Sequence, residues 1–195
     1  MNNNTNERRN FLSKMLITGV SGVGLLATSA NARGGRGKKR QSTVALNEEQ
    51  KDELFYIYQE EKVARDVYIT LGKLYPNENT FASIQVSEQR HIDAAKGLCK
   101  RYGIDLTGVN EKSVGNFVLP VLQDLYDTCI SLGEESLYDA LKVGELVEVT
   151  DIKDLDHAIN DLDMPDNVVR VYENLREGSF NHLDAFHAAI AREAS

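Results

Sequence analysis

Cysteine is scarce in this chain of 195 residues, and so is positive charge wherever the chain is patterned. Cys99 and Cys129 are the only thiols, far apart and outside any CxxC spacing. They leave one disulfide open in an oxidising compartment, and spacing alone does not pair them. No run approaches ~18 consecutive apolar, uncharged residues, so a membrane-spanning helix is not expected. No stretch alternates apolar and polar residues at period two, so strands are not expected either. Residues 41–195 carry 14 Lys+Arg against 29 Asp+Glu, within a formal net charge of −8 for the whole chain. A body this acidic repels nucleic acid and anionic lipid and draws cations toward it; a solvated charged surface is the plainer account of the same numbers.

What is present begins with an address. Arg8 and Arg9 open the run RRNFLSK, and a weakly apolar, glycine-bearing stretch follows from Met15 to Ala27. Ala30-Asn31-Ala32 then supplies a small-x-small cleavage pattern. Residues 1–32 therefore resemble a twin-arginine export signal, cleaved near Ala32, which implies a periplasmic or otherwise extracytoplasmic protein. No cysteine stands at the end of the apolar stretch, so a lipoprotein anchor is not supported. Residues 33–44, including RGGRGKKR, read as a basic Gly-rich linker. The folded domain is expected over 45–195.

That domain reads as helix throughout. Asn47 and Gln50 have capping-box spacing ahead of a helix to about Tyr75. Pro76 breaks it, and Thr80 is placed to cap a second helix ending near Tyr102-Gly103. After a loop to Asn116, a shorter helix spans about Leu119 to Leu132. A third long helix is expected from Glu134 to Leu162, and Pro165 suits the first turn of a fourth. The expected fold is all-α: a four-helix bundle whose one long crossover carries an extra short helix.

Spacings of three and four pick out a buried stripe on each long helix. The first is Leu54, Ile57, Glu61, Ala64, Tyr68, Leu71, Tyr75; the second is Ile84, Glu88, His91, Ala95, Leu98, Tyr102. The third is Leu137, Leu141, Gly144, Glu148, Asp151, Leu155, Ala158, Leu162; the fourth is Val168, Tyr172, Leu175, Ser179, His182, Phe186, Ala189. Every stripe is apolar at its ends and polar near its middle. An unpaired carboxylate in a core costs several kcal/mol, so it must be paired, protonated or bound to a cation. Antiparallel packing would gather Glu61, Glu88, His91, Glu148, Asp151 and His182 into one layer. One or two divalent cations would neutralise it; iron or manganese suits this N/O set, and zinc is compatible. The alternative for each residue is a hydrogen-bonded core pair. Asp151 is open between ligand and salt-bridge partner of Arg65. Tyr68 and Tyr172 either fill the core or bond to the ligands. Glu60, His157 and His187 fall off the stripes and are read as surface.

These residues resemble the ferritin-like superfamily, and more narrowly its rubrerythrin-like pattern. Glu61-Lys62-Val63-Ala64-Arg65-Asp66-Val67-Tyr68 is similar to the first-helix segment that carries a ligand Glu. Glu88-Gln89-Arg90-His91 matches the second-helix Glu-x-x-His, while Glu148 and His182 fall where the third and fourth helices supply ligands. The segments around Ser87–His91 and Gly178–Leu183 also look like an uncharacterised branch of that superfamily. Ser179 stands where the fourth helix usually carries a Glu, and Asp151 is an extra acid one turn after Glu148. The resemblance implies a non-haem iron or manganese protein acting on Fe(II), dioxygen or peroxide, with a metal carrier or sensor, or a metal-free interaction module, as alternatives. No four-cysteine rubredoxin-like module is present, so electrons would come from Fe(II) or a partner. Self-assembly into a homo-oligomer stays open.

Overall fold

The computed structural model describes residues 45–195, and the expected signal and linker lie outside them. Each helix start is explained by its capping chemistry. Helix α1 (Glu48–Leu74) opens on Asn47, whose Oδ1 accepts from the Gln50 amide at 2.9 Å while Gln50 Oε1 accepts from the Asn47 amide at 3.0 Å. The Gln50 amide group also donates to the carbonyls of Leu162 and Asp163, at 2.9 and 3.0 Å. Helix α2 (Asn79–Arg101) starts earlier than expected: Glu78, not Thr80, is its cap, accepting from the Thr80 amide at 2.8 Å. Pro120–Gly133 forms α3. Helix α4 (Leu137–Asp161) begins three residues after the expected Glu134, because Ser136 takes an extended conformation and its hydroxyl accepts from the Asp139 amide at 3.0 Å. Pro165 lies just ahead of α5 (Asp166–Glu193) rather than inside its first turn. Among the described residues the fold is all-helical, with five helices and no strand.

The long helices pack α1 on α2 and α4 on α5, with α1 also against α4 and α2 against α5; α3 lies on α1 and α4. Ala45–Ser195 is one compact unit. The four stripes form its interior. Every residue of the α5 stripe is buried, and the other three lose only end residues (Tyr75, Tyr102, Leu137, Leu162) to partial exposure. Next to the polar layer, Tyr68, Phe81 and Phe186 form an aromatic trio with centroids 5.2–6.3 Å apart. Gly144 makes room for it, since a Cβ there would lie 2.2 Å from the Phe186 ring. None of the described helices is long and apolar enough to cross a membrane.

Helix α1 is buried on more than one face: every residue from Tyr56 to Tyr68 is inside. Its second face is covered by the crossover between α2 and α3. Lys62 Nζ donates to Asp66 Oδ2 at 2.5 Å and to the carbonyls of Ser113 and Asn116 at 2.9 and 3.2 Å, 4.3 Å above the Phe117 ring. Arg65 donates to Asp66 Oδ1, to the Gln89 side chain and to the Glu111 carbonyl, each at 2.6 Å. The Gly115 amide completes Asp66 at 3.0 Å. Tyr58 donates to Glu111 at 2.5 Å, and Lys96 pairs with the same carboxylate. One sequence expectation fails: Glu60 is buried rather than on the surface, beside Leu125 of α3 and Leu146 and Val147 of α4. Of the two alternatives left open for Asp151, the pair with Arg65 is not made, because Arg65 is turned toward the crossover and pairs with Asp66. Cys99 and Cys129 are both free and buried, and burial pushes each thiol up to about 12.

Candidate metal centre

The polar interruptions of the four stripes meet. Glu61 comes from α1, Glu88 and His91 from α2, Glu148 and Asp151 from α4, Ser179 and His182 from α5; none is more than 8% exposed. His91 Nδ1 lies 3.2 Å from Glu61 Oε2 and 3.1 Å from Glu88 Oε2. His182 Nδ1 lies 2.6 Å from Glu88 Oε1 and 3.5 Å from Glu148 Oε2. The two imidazoles stack at 5.2 Å between centroids, 27° from parallel. Both rings therefore turn Nδ1 toward the carboxylates. Glu88 and His91, three residues apart on α2, share one face, as their spacing requires. Tyr68 closes one side, its hydroxyl donating to Glu148 Oε1 at 2.5 Å. Ser179 closes another, donating to Asp151 Oδ2 at 2.6 Å.

Burial and mutual charge divide these groups sharply. Burial works against ionising Glu88, yet contacts with His182 and His91 outweigh it and pull the carboxyl down to about 2. Burial likewise opposes charge on the imidazoles. Glu61 and Glu88 nonetheless raise His91 to about 11, and Glu148 with Glu88 raises His182 to about 9. Burial, then the charge of Glu88, pushes Glu148 up to about 8. Burial carries Asp151 to about 7 against the Ser179 hydrogen bond, and burial plus Asp151 holds Glu61 well above the ordinary carboxylate range. Without a cation, the layer keeps its charge low by holding protons.

Hydrogen bonding leaves part of the layer unsatisfied. Glu61 Oε1, Glu88 Oε1, Asp151 Oδ1 and His182 Nδ1 are buried without a hydrogen-bond partner. The 2.6 Å approach of His182 Nδ1 to Glu88 Oε1 is an ion-pair distance that is not aligned as a hydrogen bond. Buried lone pairs without donors are costly in a protein interior. Ligand atoms of Glu88, His91 and His182 lie within 4.8 Å of one another, close enough for one ion to bridge all three. Two imidazole nitrogens among carboxylate oxygens are a donor set for iron, manganese or zinc.

All six residues expected to share a layer do so, with Ser179 among them. Tyr172 is buried in the core, whereas His157 is half-buried beside Asp161, 2.8 Å away, and His187 is exposed beside Glu145 at 3.3 Å. The sequence reading missed the Lys62–Arg65–Asp66 cluster. Its one signal was the Lys62/Asp66 spacing of four, which is equally common on solvated helix faces.

Residues 50–194 match the model of a family described as an uncharacterized protein domain, DUF2202. Uncharacterized protein MJ0754 of Methanocaldococcus jannaschii is 43% identical over 141 residues, spanning 72% of this chain and 75% of its own length. The crystal structure of hypothetical protein MJ0754 from Methanococcus jannaschii DSM 2661 superposes with a TM-score of 0.75 at 39% identity, covering 80% of this chain and 88% of that one. The family match spans residues 50–194, and the chain belongs to the DUF2202 family.

Proposed function

We propose that this protein is a ferritin-like four-helix bundle that binds one or two transition-metal ions, iron or manganese, and reacts with Fe(II), dioxygen or peroxide. The observation that carries the reading is the convergence of Glu61, Glu88, Asp151 and His182 from four different helices in one buried layer, with Glu61 Oε1 and Asp151 Oδ1 left without a hydrogen-bond partner. The ferritin-like assignment is supported by the order of elements: two long helices, a crossover carrying α3, then two more. Glu88, His91 and His182 would hold one ion, with Glu61, Glu148 and Asp151 completing its surroundings or holding a second. Bound iron or manganese would supply one-electron chemistry toward a small oxidant. The chain's own contribution is preorganisation. Tyr68 fixes one oxygen of Glu148, the stacked imidazoles present Nδ1 inward, and the aromatic trio beside the layer excludes water.

The test is anaerobic Fe(II) titration of metal-stripped protein, followed by oxygen, reading absorbance and oxygen consumption. Oxygen uptake coupled to Fe(II) oxidation supports the redox reading. Stoichiometric binding without oxygen use reduces the protein to a carrier or sensor. Absence of binding to the native protein, with Glu88→Ala and His91→Ala affecting stability alone, removes the metal assignment. One observation favours that last outcome: Glu88 sits between the two imidazoles, 3.1 and 2.6 Å away, where protons on the rings would balance its charge without a cation. The extracytoplasmic setting rests on the twin-arginine pattern in residues 1–32, and sequencing the N-terminus of the mature protein tests it.

A further inference from the structure

We propose that Gly178 and Ser179, adjacent at the middle of α5, are positioning residues that aim two ligands belonging to other helices: Gly178 seats His91 of α2, and Ser179 fixes Asp151 of α4. This inference rests on the metal reading above and adds how the layer is held in shape. Glycine is a poor choice for a helix interior, so its presence there calls for a local reason. At Gly178 the reason is a close approach. A Cβ at that position would lie 2.4 Å from His91 Nε2 and 2.7 Å from Cε1, so the imidazole occupies the space a side chain would need. Any larger residue must displace the ring, and with it Nδ1, from its present position against Glu61 and Glu88. Helix α2 holds a contrasting case: a Cβ on Gly97 would meet nothing within 4 Å.

Ser179 acts through its hydroxyl. It is 1% exposed and lies 2.6 Å from Asp151 Oδ2, with the Leu175 carbonyl at 3.1 Å as its second contact. Holding Oδ2 leaves Oδ1 as the oxygen without a partner. The carboxylate that the ferritin-like resemblance would put at position 179 is thus replaced by a hydroxyl on α5 and an acid on α4. Helix α5 supplies His182, an empty space and a donor.

Co(II), a spectroscopic probe that oxygen does not consume, tests this by titration of the native protein, Gly178→Ala, Ser179→Ala, Ser179→Thr and Gly97→Ala. Loss of a group that orients a ligand typically weakens metal binding roughly 10–100-fold. Losses of that size are expected for Gly178→Ala and Ser179→Ala, with altered visible absorption of the bound ion. Ser179→Thr keeps the hydroxyl and should restore the native spectrum, while Gly97→Ala should match native affinity. Circular dichroism checks that each variant is folded; Ser179→Ala removes one oxygen atom and serves where Gly178→Ala does not fold. Native affinity and spectrum in both Gly178→Ala and Ser179→Ala overturn this inference alone. Failure of the native protein to take up Co(II) overturns it together with the metal reading.

Discussion

Consider titrating the metal-stripped protein with Zn(II), which has no redox chemistry to confuse the readout, at a series of pH values. At pH 7 His91, raised to about 11, and His182, raised to about 9, both carry protons, whereas Glu88, lowered to about 2, is ionised. An imidazolium has no lone pair for a metal, so each ring must shed a proton before it can ligate. Binding to Glu88, His91 and His182 therefore releases about two protons per ion, and about three if Glu148, raised to about 8, joins them. Apparent affinity should climb roughly 100-fold per pH unit between pH 6 and 8, equivalent to about 2.7 kcal/mol per unit. Above about pH 9 the slope should fall toward one proton, as His182 loses its own in the metal-free protein. Isothermal titration calorimetry in two buffers of different ionisation enthalpy counts the protons directly. Release of fewer than about one proton per ion, or an affinity flat from pH 6 to 8, would refute the assignment of these rings as ligands.

Proton linkage also fixes how the metal-free protein responds to pH. Glu148 and Asp151 are raised from 4.5 and 3.8 to about 8 and 7, and both imidazoles are raised from 6.5, so the native state holds protons that the unfolded chain gives up. The stabilisation from these groups is complete below their unfolded values and is lost as pH rises through the folded ones; Glu88 alone runs the other way, losing its share as pH falls from 4.5 toward 2. Calorimetric Tm in chelator should therefore decline from pH 5 to 9, and a rise across that range would contradict the shifts. Asp66→Ala strands the fully buried Lys62 and its neighbour Arg65, at a cost of about 3–5 kcal/mol and a Tm lower by roughly 6–20 °C. Urea unfolding measures that loss, and a change under about 1 kcal/mol would mean water reaches the cluster. Tyr68→Phe removes the donor to Glu148 Oε1 and should cost about 1–3 kcal/mol in the same assay, whereas a stabilised variant would show that the hydrogen bond is not formed in solution.

The layer was legible because helical periodicity is local. Once Val168, Tyr172, Leu175, Phe186 and Ala189 define a face, Ser179 and His182 are carried inward with them, and each does lie inside. Capping box spacing likewise placed Asn47 and Gln50. What escaped was information held elsewhere in the chain. Lys62, Arg65 and Asp66 look like a solvated flank of α1, and the distant carbonyls of Glu111, Ser113 and Asn116, with the Gly115 amide, make them interior. No spacing within one helix encodes a cover formed some fifty residues away. The start of α2 was misplaced by competition between neighbouring polar side chains: Glu78 and Thr80 both suit a helix entrance, and the longer carboxylate reaches forward to the free Thr80 amide.

The grip of Lys62 on the crossover has a consequence for divergence. It engages Ser113 and Asn116 by main-chain oxygens, which every amino acid carries. Replacing those two side chains leaves its acceptors in place, so relatives can vary positions 113 and 116 while keeping the lysine and aspartate that fasten the strap. At those two positions backbone course, rather than spelling, is what the segment must preserve.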